Sequence, residues 1–205
     1  MTWSRCPLPL SHLLHRLPLP HLRHLSPLLP ASLLALAGAV SAAPLKTDLA
    51  NSSVAITFKQ MNVPVEAKFK KFSAGIDYDA GKPELARASV DIDTASLDLG
   101  EAEMNKEVAK KDWFNSAQYP KASFVSSSIK PAGAGKLNVA GKLSIKGKSA
   151  DVSFPLLVKL EAGKHVFEGA LPIRRLAFNI GEGEWKDTGM VADDVIIKFR
   201  VSAAP

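Results

Sequence analysis

KDWFNSAQYPKASFVS, residues Lys111–Ser126, is the stretch where the chain changes period. Before it, Glu101–Lys111 shows no two-residue alternation and is rich in helix formers. Met104 and Val108, spaced i,i+4, give that segment one narrow apolar stripe. Glu103 with Lys106, and Glu107 with Lys110 and Lys111, give it supporting charge pairs. After it, Ala122–Lys130 alternates as a half-buried strand does. The stretch is therefore a corner between a short surface helix and a strand, and it gathers Trp113, Phe114, Tyr119, Pro120 and Phe124. One irregular aromatic corner in a chain that otherwise reads as strands is where a lid or a cavity wall sits.

Outward from the corner the alternation is regular. Upstream, Ser53–Lys59 sets Val54, Ile56 and Phe58 against Ala55, Thr57 and Lys59. Val63–Lys70 sets Val65, Ala67 and Phe69 on one face. Phe72–Asp79 points Phe72, Ala74, Ile76 and Tyr78 inward, and Ala86–Thr94 does the same with Ala88, Val90 and Ile92. Downstream, Lys136–Lys146 places Leu137, Val139, Leu143 and Ile145 inward, with Lys142, Ser144 and Lys146 outward. Ala150–Leu160, a long run His165–Ile180, and Asp194–Val201 complete the set. Eight or nine strands joined by short Gly- and Pro-rich turns, with no βαβ spacing, predict an antiparallel meander. A sheet of that size closes or sandwiches to remove its edges, and an eight-stranded barrel has room inside for side chains or one small ligand. A membrane-spanning barrel would invert the pattern, apolar outside and polar inside. The helix, the short strands and the many charged partners favour a barrel that faces water.

Residues 1–42 stand apart. They hold three Arg, four of the five His, the only cysteine (Cys6), six of the 14 prolines and no acidic residue. Ala31–Val40 is a ten-residue apolar run ending in Val40-Ser41-Ala42, a small-residue cleavage pattern. We read 1–42 as a secretory signal peptide with an over-long start, and 43–205 as the folded domain. Removing three Arg leaves 23 basic against 20 acidic residues, a net charge of about +3. Net charge then gives no reason to expect nucleic acid. No disulfide can form, and an exported chain without one fits a Gram-negative periplasm.

Few residues suggest chemistry. His165 is the only histidine after residue 42, too few for a metal site or a hydrolytic triad, and we place it at the surface or rim. Gly141–Ser149, GKLSIKGKS, has the wrong spacing for a phosphate loop and alternates like a strand, so its lysines read as the solvent face of a hairpin. Asp91 and Asp93 fall on the polar face opposite Val90 and Ile92. The aromatics, spread over six strands, fit a solid core or a long apolar cavity equally well. Arg174-Arg175, at the end of the long late strand, is a solvated pair or a grip for a polar head.

In order and spacing these pieces resemble the YceI-like family of exported lipid- or polyisoprenoid-binding proteins. The resemblance runs from about Lys46 to Val201. Its pieces are Ser53-Val54 leading to Phe58, Phe69-Lys70-Lys71-Phe72, Asp93-Thr94-Ala95-Ser96, Asp112-Trp113-Phe114, Tyr119-Pro120 with Phe124, Gly141–Gly147, and Arg175 with Phe178 and Ile180-Gly181. Many members carry His where Gln60 and Glu107 stand, and a Gly where Asn179 stands. The resemblance implies an all-β, lipocalin-like eight-stranded antiparallel barrel with a short flanking helix, closed at one end. It implies a tunnel for a polyisoprenoid, quinone or fatty-acid-like lipid and no covalent chemistry, cofactor or metal. On it we expect Phe58, Met61, Val65, Phe69, Trp113, Phe114, Phe124, Phe167 and Phe178 to line the tunnel. Gln60, Arg174 and Arg175 are the head-group candidates. The expected role is a periplasmic carrier or sequestering protein, not an enzyme, with a membrane or membrane-bound redox protein as transient partner and a homodimer as a further expectation. The alternative is a stress-response structural or interaction protein with a filled core.

Overall fold

In the computed structural model the described residues are 44–205; the leader expected over residues 1–42 lies outside them. Ten strands and one helix follow in order: β1 (Pro44–Gln60), β2 (Val63–Phe69), β3 (Phe72–Asp77), β4 (Arg87–Asp93), β5 (Leu97–Asp98), α1 (Ala102–Val108), β6 (Lys121–Pro131), β7 (Lys136–Ile145), β8 (Lys148–Glu161), β9 (Lys164–Arg174) and β10 (Asp194–Ala204). All pairings are antiparallel, and β10 closes on β1.

The ten strands make eight walls. Both β2 and β3 pair with β1, at Val54–Gln60 and at Pro44-Leu45, so they are one strand interrupted at Lys70-Lys71. Likewise β4 pairs with β3 and β5 with β2, one strand interrupted at Thr94–Ser96. The two breaks are sewn together. Lys71 N donates to Ser96 Oγ at 3.0 Å, Ser96 Oγ donates to the Asp93 carbonyl at 2.7 Å, and Asp93 N donates to the Lys71 carbonyl at 3.0 Å. Asp93-Thr94-Ala95-Ser96 is thus a staple that keeps the barrel closed where its strands bend.

Alternation places the apolar residues inside, the arrangement of a barrel whose outside faces water. Opposite charges meet across strands on the outer face, among them Lys142–Asp151 at 3.0 Å and Lys159–Glu168 at 2.7 Å. The meander also sorts the loops. One end carries the turns after β3, β6 and β8. The other, the helix end, carries the β1–β2 tip, α1 and its flanking loops, the β7–β8 turn and residues 175–193.

Two strand boundaries differ from the reading of the sequence. The first strand starts at Pro44, not Ser53; a bulge between Asp48 and Ser53 interrupts its alternation. The long late strand stops at Arg174. A 3-10 turn, Arg175–Phe178, follows and ends on Asn179 in the left-handed region at φ 56°. The chain leaves the sheet there because Asp193 takes over the backbone: its carbonyl accepts from Arg175 N at 2.9 Å and its Oδ1 from Leu176 N at 2.9 Å.

Candidate functional site

The barrel encloses a cavity of about 180 Å³ with walls of apolar side chains. Inward positions of the alternating strands supply them: Ile56 and Phe58 from β1, Val90 and Ile92 from β4, Phe124 from β6, Phe154 from β8, Ile197 and Phe199 from β10. Two inward glycines shape the bore. A Cβ on Gly141 would lie 2.6 Å from the Phe124 ring, and one on Gly169 would lie 2.4 Å from Phe199. Each ring therefore lies over a glycine on the neighbouring strand instead of projecting fully into the lumen. Phe124, Phe154 and Phe199 form an aromatic row with centroids 5.5 and 5.4 Å apart. Away from the helix, Tyr78 packs edge-on against His165 and Phe167 at 5.1 and 5.3 Å. Burial, helped by the nearby Asp79 charge, pushes the Tyr78 hydroxyl pKa up.

A polar lock occupies the helix end. Arg175 is buried and spends all five N–H donors on backbone carbonyls: Nε on Ala192, one terminal nitrogen on Ile180 and Gly181, the other on Trp185 and Val191. Burial lowers its pKa, partly offset by the Asp193 charge. The guanidinium also lies over the Trp113 ring at 5.8 Å, and Trp113 packs at a tilt against Trp185 with centroids 5.3 Å apart. A second buried cation, Lys146, donates to the Lys111 and Asn179 carbonyls and to Glu182 at 2.7, 2.7 and 2.9 Å. The Lys146 ammonium in turn lowers the Glu182 pKa. The Asp112 carbonyl accepts from both Gly181 N and Glu182 N at 2.8 Å. Thus Asp112-Trp113-Phe114 and Ile180–Glu182 are held as one plug. Within it, Trp113 Nε1 is buried and has no hydrogen-bond partner among the described residues.

Six of the nine expected tunnel residues are on the cavity wall: Phe58, Phe69, Trp113, Phe114, Phe124 and Phe167. Three are not. Met61 projects from the β1–β2 tip and is 71% exposed. Val65 pairs with Phe58 on β2, displaced from the wall as β2 leaves the ring of strands. Phe178 is buried in the core, but it lies in the 3-10 turn beyond β9 and off the wall. The head-group candidates separate too. Gln60 bridges to Val191 at the rim; Arg174 is exposed opposite Asp194; Arg175, although on the wall, has no donor left for a ligand. Lys146, read as a solvent-facing hairpin lysine, is buried. The two-residue β7–β8 turn, Lys146 at φ 47° and Gly147 at φ 74°, swings it over the barrel end. Phe154, Phe199 and Tyr78 also line the wall and were not among the expected tunnel residues. For Phe199 the signal is Gly169, an inward glycine next to a strand bearing an inward ring.

A closed eight-walled antiparallel barrel around an apolar cavity, plugged at one end, is a lipocalin-like barrel. The chain belongs to the YceI-like family, whose domain matches residues 45–203. It is 35% identical over 141 residues to a UPF0312 protein of Shewanella baltica, covering 67% of this chain and 71% of that one. Among solved structures it resembles Burkholderia cenocepacia BcnA at 52% identity and TM-score 0.76, covering 78% of this chain and 100% of that one. It shares the fold of a polyisoprenoid binding domain from Saccharophagus degradans at 18% identity and TM-score 0.61, covering 79% and 98% of the two chains.

Proposed function

We propose that the protein binds a long-chain amphiphile, a polyisoprenoid, quinone or fatty-acid-like lipid, with the tail in the barrel, and acts as a carrier or sequestering protein. The observation that carries this reading is the apolar cavity. At roughly 24 cal/mol per Å³, leaving about 180 Å³ empty costs about 4 kcal/mol, a large share of a domain's stability. A tail removes that cost and gains about 0.8 kcal/mol per buried CH₂. The polyisoprenoid binding domain of Saccharophagus degradans, which shares this fold, supports the ligand class. The unpartnered Trp113 Nε1 is the donor nearest to hand for a polar head. The reading assigns no covalent chemistry: the two buried cations have their donors spent, and His165 lies against Tyr78 and Phe167. The leader-like residues 1–42 support export to the periplasm.

Native mass spectrometry of protein isolated from its own periplasm, followed by lipid extraction, tests this. The expected result is an added mass that appears in the organic phase as one amphiphile class. Protein that carries nothing and takes up nothing from a total lipid extract would sink the reading in favour of a barrel that works through its surface.

A further inference from the structure

Two loop tips meet at the helix end. The β1–β2 turn presents Met61 and Asn62, and residues 188–192 present Met190. Met61 N donates to the Met190 carbonyl at 2.8 Å, Ala192 N donates to the Lys59 carbonyl at 2.9 Å, and Gln60 bridges to Val191. Of the eight exposed large apolar side chains among the described residues, three meet here: Met61 at 71%, Val63 at 62% and Met190 at 44%. Neither tip carries a charge: Gln60–Val65 and Thr188–Ala192 are uncharged in a chain that is 22% charged. Met61 holds φ 46° and Asn62 φ 62°, a turn whose first position favours Asn or Gly. The turn thus keeps a large apolar residue in a conformation such residues disfavour, at the point where it is most exposed. Both tips are continuous with the cavity wall, which Phe58 and Val191 line.

We propose that these two tips dip into the interfacial region of a lipid bilayer, holding the barrel's helix end at the membrane so that an amphiphile is exchanged beside the tips, along the Phe58 and Val191 side of the wall, and not through the Arg175 plug. The proposal rests on the carrier reading above, because a water-insoluble ligand must come from a membrane. Flexible methionines suit a disordered interface. The flanking charges, Lys59 and Lys186 against Glu66, Glu184, Asp187, Asp193 and Asp194, hold no basic excess that would attract an anionic surface, so the surface matched is a zwitterionic one and attachment does not depend on salt.

The test is partition of the full chain onto phosphatidylcholine vesicles, with M61N/M190Q as the variant. Asn suits the turn better than Met, so this variant melts no lower than the parent. Vesicle partition should fall by about tenfold or more, since every tenfold corresponds to about 1.4 kcal/mol, and partition of the parent should hold between low and high salt. Extraction of geranylgeraniol from the vesicles should slow in proportion, while uptake from an ethanol dispersion stays unchanged. Equal partition of parent and variant would overturn the proposal. So would a parent that takes up dispersed geranylgeraniol without touching vesicles, which would leave the tips to a protein partner. Vesicle attachment without uptake from either source would uphold the docking and overturn the carrier reading instead.

Discussion

The plug at the helix end and the wall of the cavity are built on opposite terms. In the plug, two buried cations have satisfied every donor on fixed carbonyls and one carboxylate, leaving over the Trp113 Nε1 donor. In the wall, aromatic rings are turned over glycines and space is left over. The difference teaches where function lies in this barrel. Arginine and lysine, the usual candidates for gripping a ligand, are structural here. On the proposed reading the recognising surface is the predominantly apolar one, where affinity comes from the length and bulk of what it encloses.

The largest effect should come from the centre of the plug. Arg175→Met leaves five backbone carbonyls without their donor, all of them on the 175–193 loop that closes the end. It should cost about 3–5 kcal/mol in urea unfolding, because an unsatisfied buried acceptor is worth more than the bond it lost. If Arg175 were a ligand grip, the same change would weaken amphiphile binding and leave the unfolding midpoint alone.

Two glycine-to-alanine substitutions sharpen the contrast, because both make a steric clash. Gly181→Ala sets a Cβ 2.0 Å from an Arg175 nitrogen, at φ 81°, against a guanidinium that cannot move. It should cost about 2–3 kcal/mol. Gly169→Ala sets a Cβ 2.4 Å from the Phe199 ring, which has free volume beside it. That ring swings into the lumen, so stability should fall by only about 1 kcal/mol while amphiphile capacity drops. Measured together by chemical unfolding and lipid uptake, the pair separates a locked end from an open bore. Equal stability losses would mean that the bore is as tightly packed as the plug.

Most of the fold was legible in the sequence because alternation reports which face is buried. It identified the inward residues of β1 from Val54 on and of β3, β4 and β7, and the helix-to-strand corner. It failed where strand geometry ends. The start of β1 hides behind the bulge at Asp48–Ser53. Arg175 and Lys146 sit just beyond strands, in a 3-10 turn and a left-handed turn that redirect them inward. Alternation says nothing about such positions, and an Arg or Lys at a strand end defaults to solvent. Met61 and Phe178 were misplaced for the same reason: each lies in a turn, where an apolar residue no longer implies the lumen. The cavity was half legible, since strand-borne aromatics can fill a core or line a void. The difference rests on inward glycines that only the neighbouring strand makes meaningful.

The smallest effect concerns the outermost tether of the helix end. Asp98 accepts from Lys70 at 2.7 Å, from Asn105 at 3.0 Å and from Gly100 N at 3.1 Å, tying α1 to β5, and these contacts, the Lys70 one foremost, hold its pKa at about 2, below the usual 3.8. A depressed carboxylate pKa stabilises the folded form above the unfolded value and ceases to do so as pH falls through the folded one. The tether should therefore be at full strength above about pH 4 and fade towards pH 2. Protection of the Ala102–Val108 amides, taken relative to the intrinsic exchange rate at each pH, should fall as the pH drops through that window, and in Asp98→Asn it should be low throughout and flat with pH. The cavity wall contributes no carboxylate, so amides of β7 should stay protected over the same range in both proteins. Loss of protection in β7 together with the helix would show that plug and barrel unfold as one unit.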